Sequence, residues 1–423
     1  MIRFPRHCRT SRTFAALLCA GALSLTPHAQ AQNSFGTIGI HPVAQSVRAA
    51  YAPDSLHQWV RQLSGDLGVV LDGRPAHIAH RTAGTADYDL PVAYTRALFE
   101  RWGYEVTVEN AGTPWLTTNV VAVRRGTEPG EVLLTAHLDA KSQVCPGADD
   151  NASGSAVVLE AARVLRHHSF RHTLRFVLFG GEERGLLGSR AYAEQHEEDS
   201  IRAVVNCDML LWDGNGNMNM QIHRIPNEGG QRSTDLAEYI TAVDVAYNTD
   251  VVCVAPLGNI GASDHASFWD RGNAAVLLIE EYGIDFNPYY HSDRDSWMWN
   301  ASFDNLLFFN ASAELALLSV THLAVPAGTS GVEASAARTF AVEAVSPQPV
   351  RDHAAVRFAV EHSGTVRVRL VDLLGREVAV LADGVLEAGT HVATFARGVL
   401  PPGAYVVLLE AGTRRATRTI LLD

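Results

Sequence analysis

The chain has 423 residues, with 34 Lys and Arg against 46 Asp and Glu, 47% hydrophobic and 19% charged residues. That length points to two or three domains, and the apolar share is enough to fill a core, which excludes wholesale disorder. The net charge of −12 becomes more negative still without the first 31 residues, excluding general nucleic-acid binding, which depends on Lys and Arg neutralising phosphates.

In chain order, Arg3, Arg6, Arg9 and Arg12 precede an apolar run, Phe14–Leu25, and then Ala29, Gln30 and Ala31 offer small residues for cleavage. Residues 1–31 therefore read as a signal peptide, because the run is too short for a permanent span and no later stretch approaches ~18 apolar residues. An exported protein without a membrane span is expected. Beyond the signal only Cys145, Cys207 and Cys253 remain, and no C-x-x-C pair occurs, so neither a disulfide framework nor a cysteine zinc site is supported.

From about residue 50 to 323, helical and strand patterns alternate. Asp89 and Pro91 start a helix that stops at Gly103. Strands follow at 104–108, 119–123 and 132–136, then a helix over 154–166 and a strand over 173–179. Further strands read at 203–206 and 274–279, and a long helix at 303–323. Continuous apolar strands between helices predict an α/β fold, a mixed, mostly parallel sheet sandwiched by helices, as the domain of residues 32–324. A small-residue linker over 325–339 follows. From residue 340 to 423, short alternating strands at 355–360, 365–371, 377–381, 392–395, 405–409 and 417–421, separated by glycines, predict a small C-terminal β-sandwich.

The chemistry gathers at strand ends. His137 and Asp139 follow the strand over 132–136, Glu182 and Glu183 follow 173–179, Asp208 follows 203–206, and His291 lies in the loop after 274–279. Asp149 and Asp150, just before a helix, reach the same edge. Ligands of open α/β sheets bind outside the carboxyl ends of strands, so these loops should converge on one crevice. Imidazoles with carboxylates and no thiolate suit zinc, manganese or cobalt. Bridging two cations needs a carboxylate with both oxygens free, a role open to Asp149.

These blocks, His137–Ala140, Gly147–Gly154, Gly181–Ser189, Asn206–Met209, Ser263–Phe268 and Tyr290–Asp295, occur in this order and resemble the signature of metallopeptidase family 28, the di-zinc aminopeptidases of bacterial leucyl type. The resemblance covers roughly residues 75–323. It implies two zinc ions bridged by Asp149, with His137 and Asp208 completing one site and Glu183 and His291 the other. It further implies Glu182 as the general base toward the attacking water, Asp139 orienting His137, and Tyr290 donating to the tetrahedral oxyanion. The substrate would be a peptide with a free N-terminus, making the protein an exopeptidase. His265 is expected to be structural or to sit behind the ligands. No G-x-S-x-G elbow and no H-E-x-x-H helix occurs, so serine-hydrolase and helix-based zinc-protease readings have no motif.

The C-terminal segment, through Arg369–Glu377, Ala388–His391 and Leu400–Tyr405, resembles the sorting domain of type IX secretion, although Gln348 and Asp423 depart from the usual pattern. Such a domain implies export machinery as a partner and a secreted or cell-surface bacterial location. Two rival functions stand beside the aminopeptidase: a single-zinc glutaminyl cyclase, and an inactive peptidase fold acting as a binding module.

Overall fold

The structure, a computed structural model, describes Phe35 and residues 38–110, 117–225, 230–256, 260–327, 340–346, 350, 353–372, 375–386, 388–398, 400–412 and 414–422. The expected signal peptide at 1–31 and most of the expected linker lie outside the described residues. The elements run α1 (Pro42–Ala50), α2 (Pro53–Leu63), β1 (Val69–Leu71), β2 (Arg74–Ala76), α3 (Asp89–Arg101), β3 (Glu105–Asn110), β4 (Thr118–Arg124), β5 (Glu131–His137), α4 (Gly154–Leu165), β6 (Thr173–Phe179) and α5 (Leu187–Gln195). Then come β7 (Ile201–Cys207), β8 (Asn219–His223), α6 (Gln231–Tyr247), β9 (Val252–Val254), α7 (His265–Trp269), β10 (Ala275–Ile279), α8 (Trp297–Asn300) and α9 (Phe303–Leu323).

Eight strands form one sheet in the order β3-β4-β6-β5-β7-β10-β8-β9. Its centre, β6-β5-β7-β10, is parallel, and antiparallel pairings flank it at β4 and β8. Every residue of β6 and β10 is buried, as expected for strands covered on both faces. The parallel register brings the carboxyl ends of β5, β6, β7 and β10 to one edge, with His137 opposite Phe179 and Leu278 opposite Cys207.

α4 starts behind that edge. Gly154 is required there, because a Cβ would lie 2.3 Å from the Cys207 carbonyl oxygen. α9 is long and apolar enough to cross a membrane, yet it buries Phe308, Phe309, Leu315 and Leu318 in the core. Ser302 caps it by accepting from the Asn305 amide.

The C-terminal strands are β11 (Ala341–Ser346), β12 (His353–Val360), β13 (Gly364–Asp372), β14 (Glu377–Leu386), β15 (Gly389–Ala396), β16 (Gly403–Ala411) and β17 (Arg414–Leu422). They make a three-stranded antiparallel sheet, β11-β12-β15, and a four-stranded one, β14-β13-β16-β17. Val356 and Phe358 of the first share an apolar cluster with Val366, Val368, Leu370, Val407 and Leu409 of the second, which is the expected sandwich. Arg357 donates to the Ala246 carbonyl at the end of α6, and Val392 packs against the core of the larger sheet.

Candidate metal centre

His137 ends β5 and is buried. Its Nδ1 faces only acceptors, the Asp139 carbonyl at 3.1 Å and the Asp139 carboxylate at 3.7 Å, so Nδ1 carries the proton. Nε2 then points at two carboxylate oxygens, Asp150 Oδ1 at 3.1 Å and Asp208 Oδ1 at 3.2 Å. On the other side, Asp150 Oδ2 is 3.1 Å from His291 Nε2, which is itself 3.2 Å from Glu183 Oε1. Two groups result, His137–Asp150–Asp208 and Asp150–Glu183–His291, each with its donor atoms within 4.8 Å of one another. Asp150 belongs to both, one oxygen to each.

The expectation that Asp149 would take the shared position is corrected. The Asp149 carboxylate is turned away and saturated by donors: the Leu211 amide at 2.7 Å on Oδ1 and Asn287 Nδ2 at 2.7 Å on Oδ2. Electrostatics separate the two neighbours in the same direction. Burial pushes the Asp149 carboxyl up, whereas His137 and His291 overcome burial at Asp150 and hold it well below the usual carboxylate range. Burial alone would depress His137 and His291, but the carboxylates around them override it and raise both, His291 to about 9.

The other predicted residues converge as follows. Glu182 and Glu183 sit on a tight turn after β6 that begins at Gly181, with φ +75°. Asp139 sets this turn, its two oxygens accepting the Glu182 amide at 3.1 Å and the Glu183 amide at 3.3 Å. Its hold on His137 runs mainly through its main-chain oxygen, so the expected role is shifted: the carboxylate positions the glutamates. Glu183 splits its carboxylate between His291 and Lys141 Nζ, at 3.1 Å from Oε2. Glu182 lines the adjoining cavity, and its pKa is raised well above the ordinary range by burial and by Asp264, Asp208 and Glu183, against the pull of His137. Tyr290 lines the same cavity and stacks on His291, with ring centroids 3.6 Å apart. His265 is structural: its Nε2 meets the Ile260 carbonyl oxygen and its ring packs edge-on against Trp269. Cys145, Cys207 and Cys253 are free thiols.

Sequence reasoning missed several supports. Ser263 Oγ donates to Asp208 Oδ2 at 2.7 Å and accepts from Asn206 Nδ2, which ties that ligand candidate to the sheet. Arg81 is fully buried, and its guanidinium reaches the carbonyls of Leu63, Leu138, Pro146 and Gly147, pinning both ends of the loop between His137 and Asp149. An arginine in an unpatterned stretch gives no sequence signal of this. Arg81→Met removes the guanidinium from four carbonyls, one of which, that of Gly147, still accepts the Ala152 amide, so a loss of about 3 kcal/mol is expected in denaturant unfolding; a loss under about 1 kcal/mol would mean that water replaces the guanidinium.

The donor set fits metal ions. Asp150 Oδ2, Glu183 Oε1 and His291 Nε2 are buried and lack a well-formed hydrogen bond, although His291 Nε2 lies 3.1 Å from the Asp150 oxygen and 3.2 Å from the Glu183 oxygen. Converging acceptors without donors are what a cation satisfies, and imidazole with carboxylate suits zinc. Beside the clusters lies a cavity of about 290 Å³, walled by Met209, Ile260, Leu277, Ile279, Phe286 and Tyr290.

Comparison with known proteins finds relatives of this chain. A probable leucine aminopeptidase of the fungus Trichophyton verrucosum is 32% identical over 230 residues, 51% of this chain and 60% of the relative. The chain spans between about half and three fifths of the length of the first relatives it matches, all of them fungal. Among solved structures, the LapA aminopeptidase of Legionella pneumophila superposes with a TM-score of 0.59 at 21% identity, covering 75% of this chain and 80% of that one. A glutaminyl cyclase of Fimbriiglobus ruber reaches 0.51 at 16% identity, covering 64% and 95%. At these identities the two structures share the fold of this chain and establish nothing finer. Residues 119–307, which carry every member of both donor clusters, match the family model described as Peptidase family M28.

Proposed function

We propose that the protein is a di-zinc aminopeptidase that removes apolar residues from the N-termini of peptides. The observation that carries this reading is Asp150, whose two oxygens each sit 3.1 Å from a different histidine in two separate donor groups. His137 and Asp208 would complete one ion's ligands, and Glu183 and His291 the other's. When bound, the ions polarise the scissile carbonyl and make the attacking water more acidic.

The remaining steps belong to the chain's own side chains. Glu182, half-buried and raised in pKa, takes a proton from the attacking water and returns it to the leaving amine. Tyr290 lines the cavity beside His291, where its hydroxyl can donate to the carbonyl oxygen as negative charge develops. Glu182 and Asp208 hold the substrate's ammonium group, which restricts cleavage to the first residue. The apolar wall of the cavity receives the first side chain. Leucyl arylamide is therefore expected to be cut with a kcat/KM at least about tenfold above that of arginyl arylamide, because an apolar pocket discriminates by 1–3 kcal/mol. Equal rates, measured side by side, would remove the pocket from the specificity argument.

The test of the whole reading is zinc uptake by metal-free protein together with those arylamide assays. Two equivalents and cleavage support it. One equivalent, with pyroglutamate formed from N-terminal glutamine, makes the protein a cyclase, whose fold this chain shares. No turnover at full zinc loading makes it a binding module. The N-terminal signal and the C-terminal sandwich are proposed as export and sorting elements of a secreted or cell-surface protein, a reading supported by sequence pattern alone.

A further inference from the structure

Directly beneath the metal centre lies a ring of buried amides and carboxylates that the proposed chemistry does not use. Asp295 Oδ1 accepts the Asp149 amide at 2.8 Å and Asn300 Nδ2 at 2.7 Å. Asn287 Nδ2 donates to Asn300 Oδ1 at 3.1 Å and to Asp149 Oδ2 at 2.7 Å, which closes the circuit. All four side chains are at most 2% exposed. Two further bonds leave the ring at significant places. Asp295 Oδ2 accepts the Asp150 amide at 3.0 Å. Asn287 Oδ1 accepts the Tyr289 amide, and the Asn287 carbonyl accepts the Tyr290 amide, so Asn287 also fixes the loop that delivers Tyr290 and His291.

We infer that Asp295 and Asn287 are positioning residues which aim Asp150 at both donor groups at once. A carboxylate that must offer one oxygen in each of two directions tolerates little rotation of its own backbone. Asp295 removes that freedom by gripping two consecutive amides, and Asn287 ties the same turn to the histidine loop, which converges on it from 138 residues further along the chain. Partners behind metal ligands typically carry 10–100-fold of metal affinity. The inference rests on the two-ion reading above.

Its test is equilibrium dialysis of the full chain against zinc, with thermal unfolding of the metal-free forms measured in parallel. Asp295→Asn sets an amide N–H against a backbone N–H while keeping the side-chain size. Asn287→Ala deletes one ring member and carries the test should Asp295→Asn not fold. Both are expected to bind zinc about 10–100-fold more weakly at both sites. Ser263→Ala, whose hydroxyl bonds Asp208 of one donor group and no member of the other, is expected to weaken one site and spare the other. That contrast separates aiming from general loosening of the fold. Wild-type zinc affinity in Asp295→Asn or in Asn287→Ala overturns the inference. So does an equal loss at both sites in Ser263→Ala. A wild-type chain that takes up fewer than two ions overturns the two-ion reading itself, and is seen before any variant is compared.

Discussion

Glu182→Gln is expected to retain both zinc ions and to lose about three orders of magnitude in kcat. The substitution preserves shape and keeps an acceptor oxygen at the cavity wall, but an amide cannot take up a proton at neutral pH. A positioned general base contributes about 10²–10⁴-fold, which sets the size of the loss. The carboxyl is suited to the task because burial and three neighbouring carboxylates raise its proton affinity. Glu182 is absent from both donor clusters, so metal content should not follow activity down. KM should rise as well, because Glu182 also holds the substrate's ammonium group, while the loss in kcat reports the proton transfer itself. The measurement is kcat on leucyl arylamide beside zinc per chain by elemental analysis. Activity within tenfold of wild type would show that the proton goes elsewhere. Loss of zinc would place Glu182 among the ligands.

Much of the fold was legible in the sequence, for an identifiable reason. Buried parallel strands and buried core helices are both nearly uninterrupted apolar runs, so the strand Thr173–Phe179 and the helix Phe303–Leu323 were located with the boundaries they have in the structure. α6 escaped because buried Ser233, Asp235 and Asp244 interrupt its apolar stripe, β8 because Asn219, Gln221 and His223 break it up, and β9 because it is only three residues long. The site was legible as a set of strand ends, since chain order and strand direction alone bring His137, Glu183, Asp208 and His291 to one edge. Its wiring was not. Asn287, Asn300, Asp295 and Arg81 act through contacts across long sequence separations, and a polar residue in a loop looks the same whether it is solvated or buried in a ring.

The largest metal effect is expected at Asp150, and it separates two adjacent aspartates that composition and spacing leave equivalent. Asp150→Asn removes charge from both donor groups together, so zinc affinity at both sites should fall by more than the ~100-fold that bounds changes made behind the ligands. Activity should fall with it. Asp149→Asn makes a different change. Its carboxylate accepts the Leu211 amide and Asn287 Nδ2, so the amide must turn an N–H toward one of those donors, at a cost of about 1–3 kcal/mol of stability. That variant should still load two ions at saturating zinc, with a weakening no greater than the ring substitutions produce, and should melt at a lower temperature than wild type. The physical basis is the direction each side chain takes from the same turn: Asp149 inward to a set of donors that satisfies it, Asp150 outward to two imidazoles that keep it ionised. Zinc binding and unfolding, measured on both variants, decide it. A metal-free Asp149→Asn beside a fully loaded Asp150→Asn would exchange the two assignments and return the shared position to Asp149.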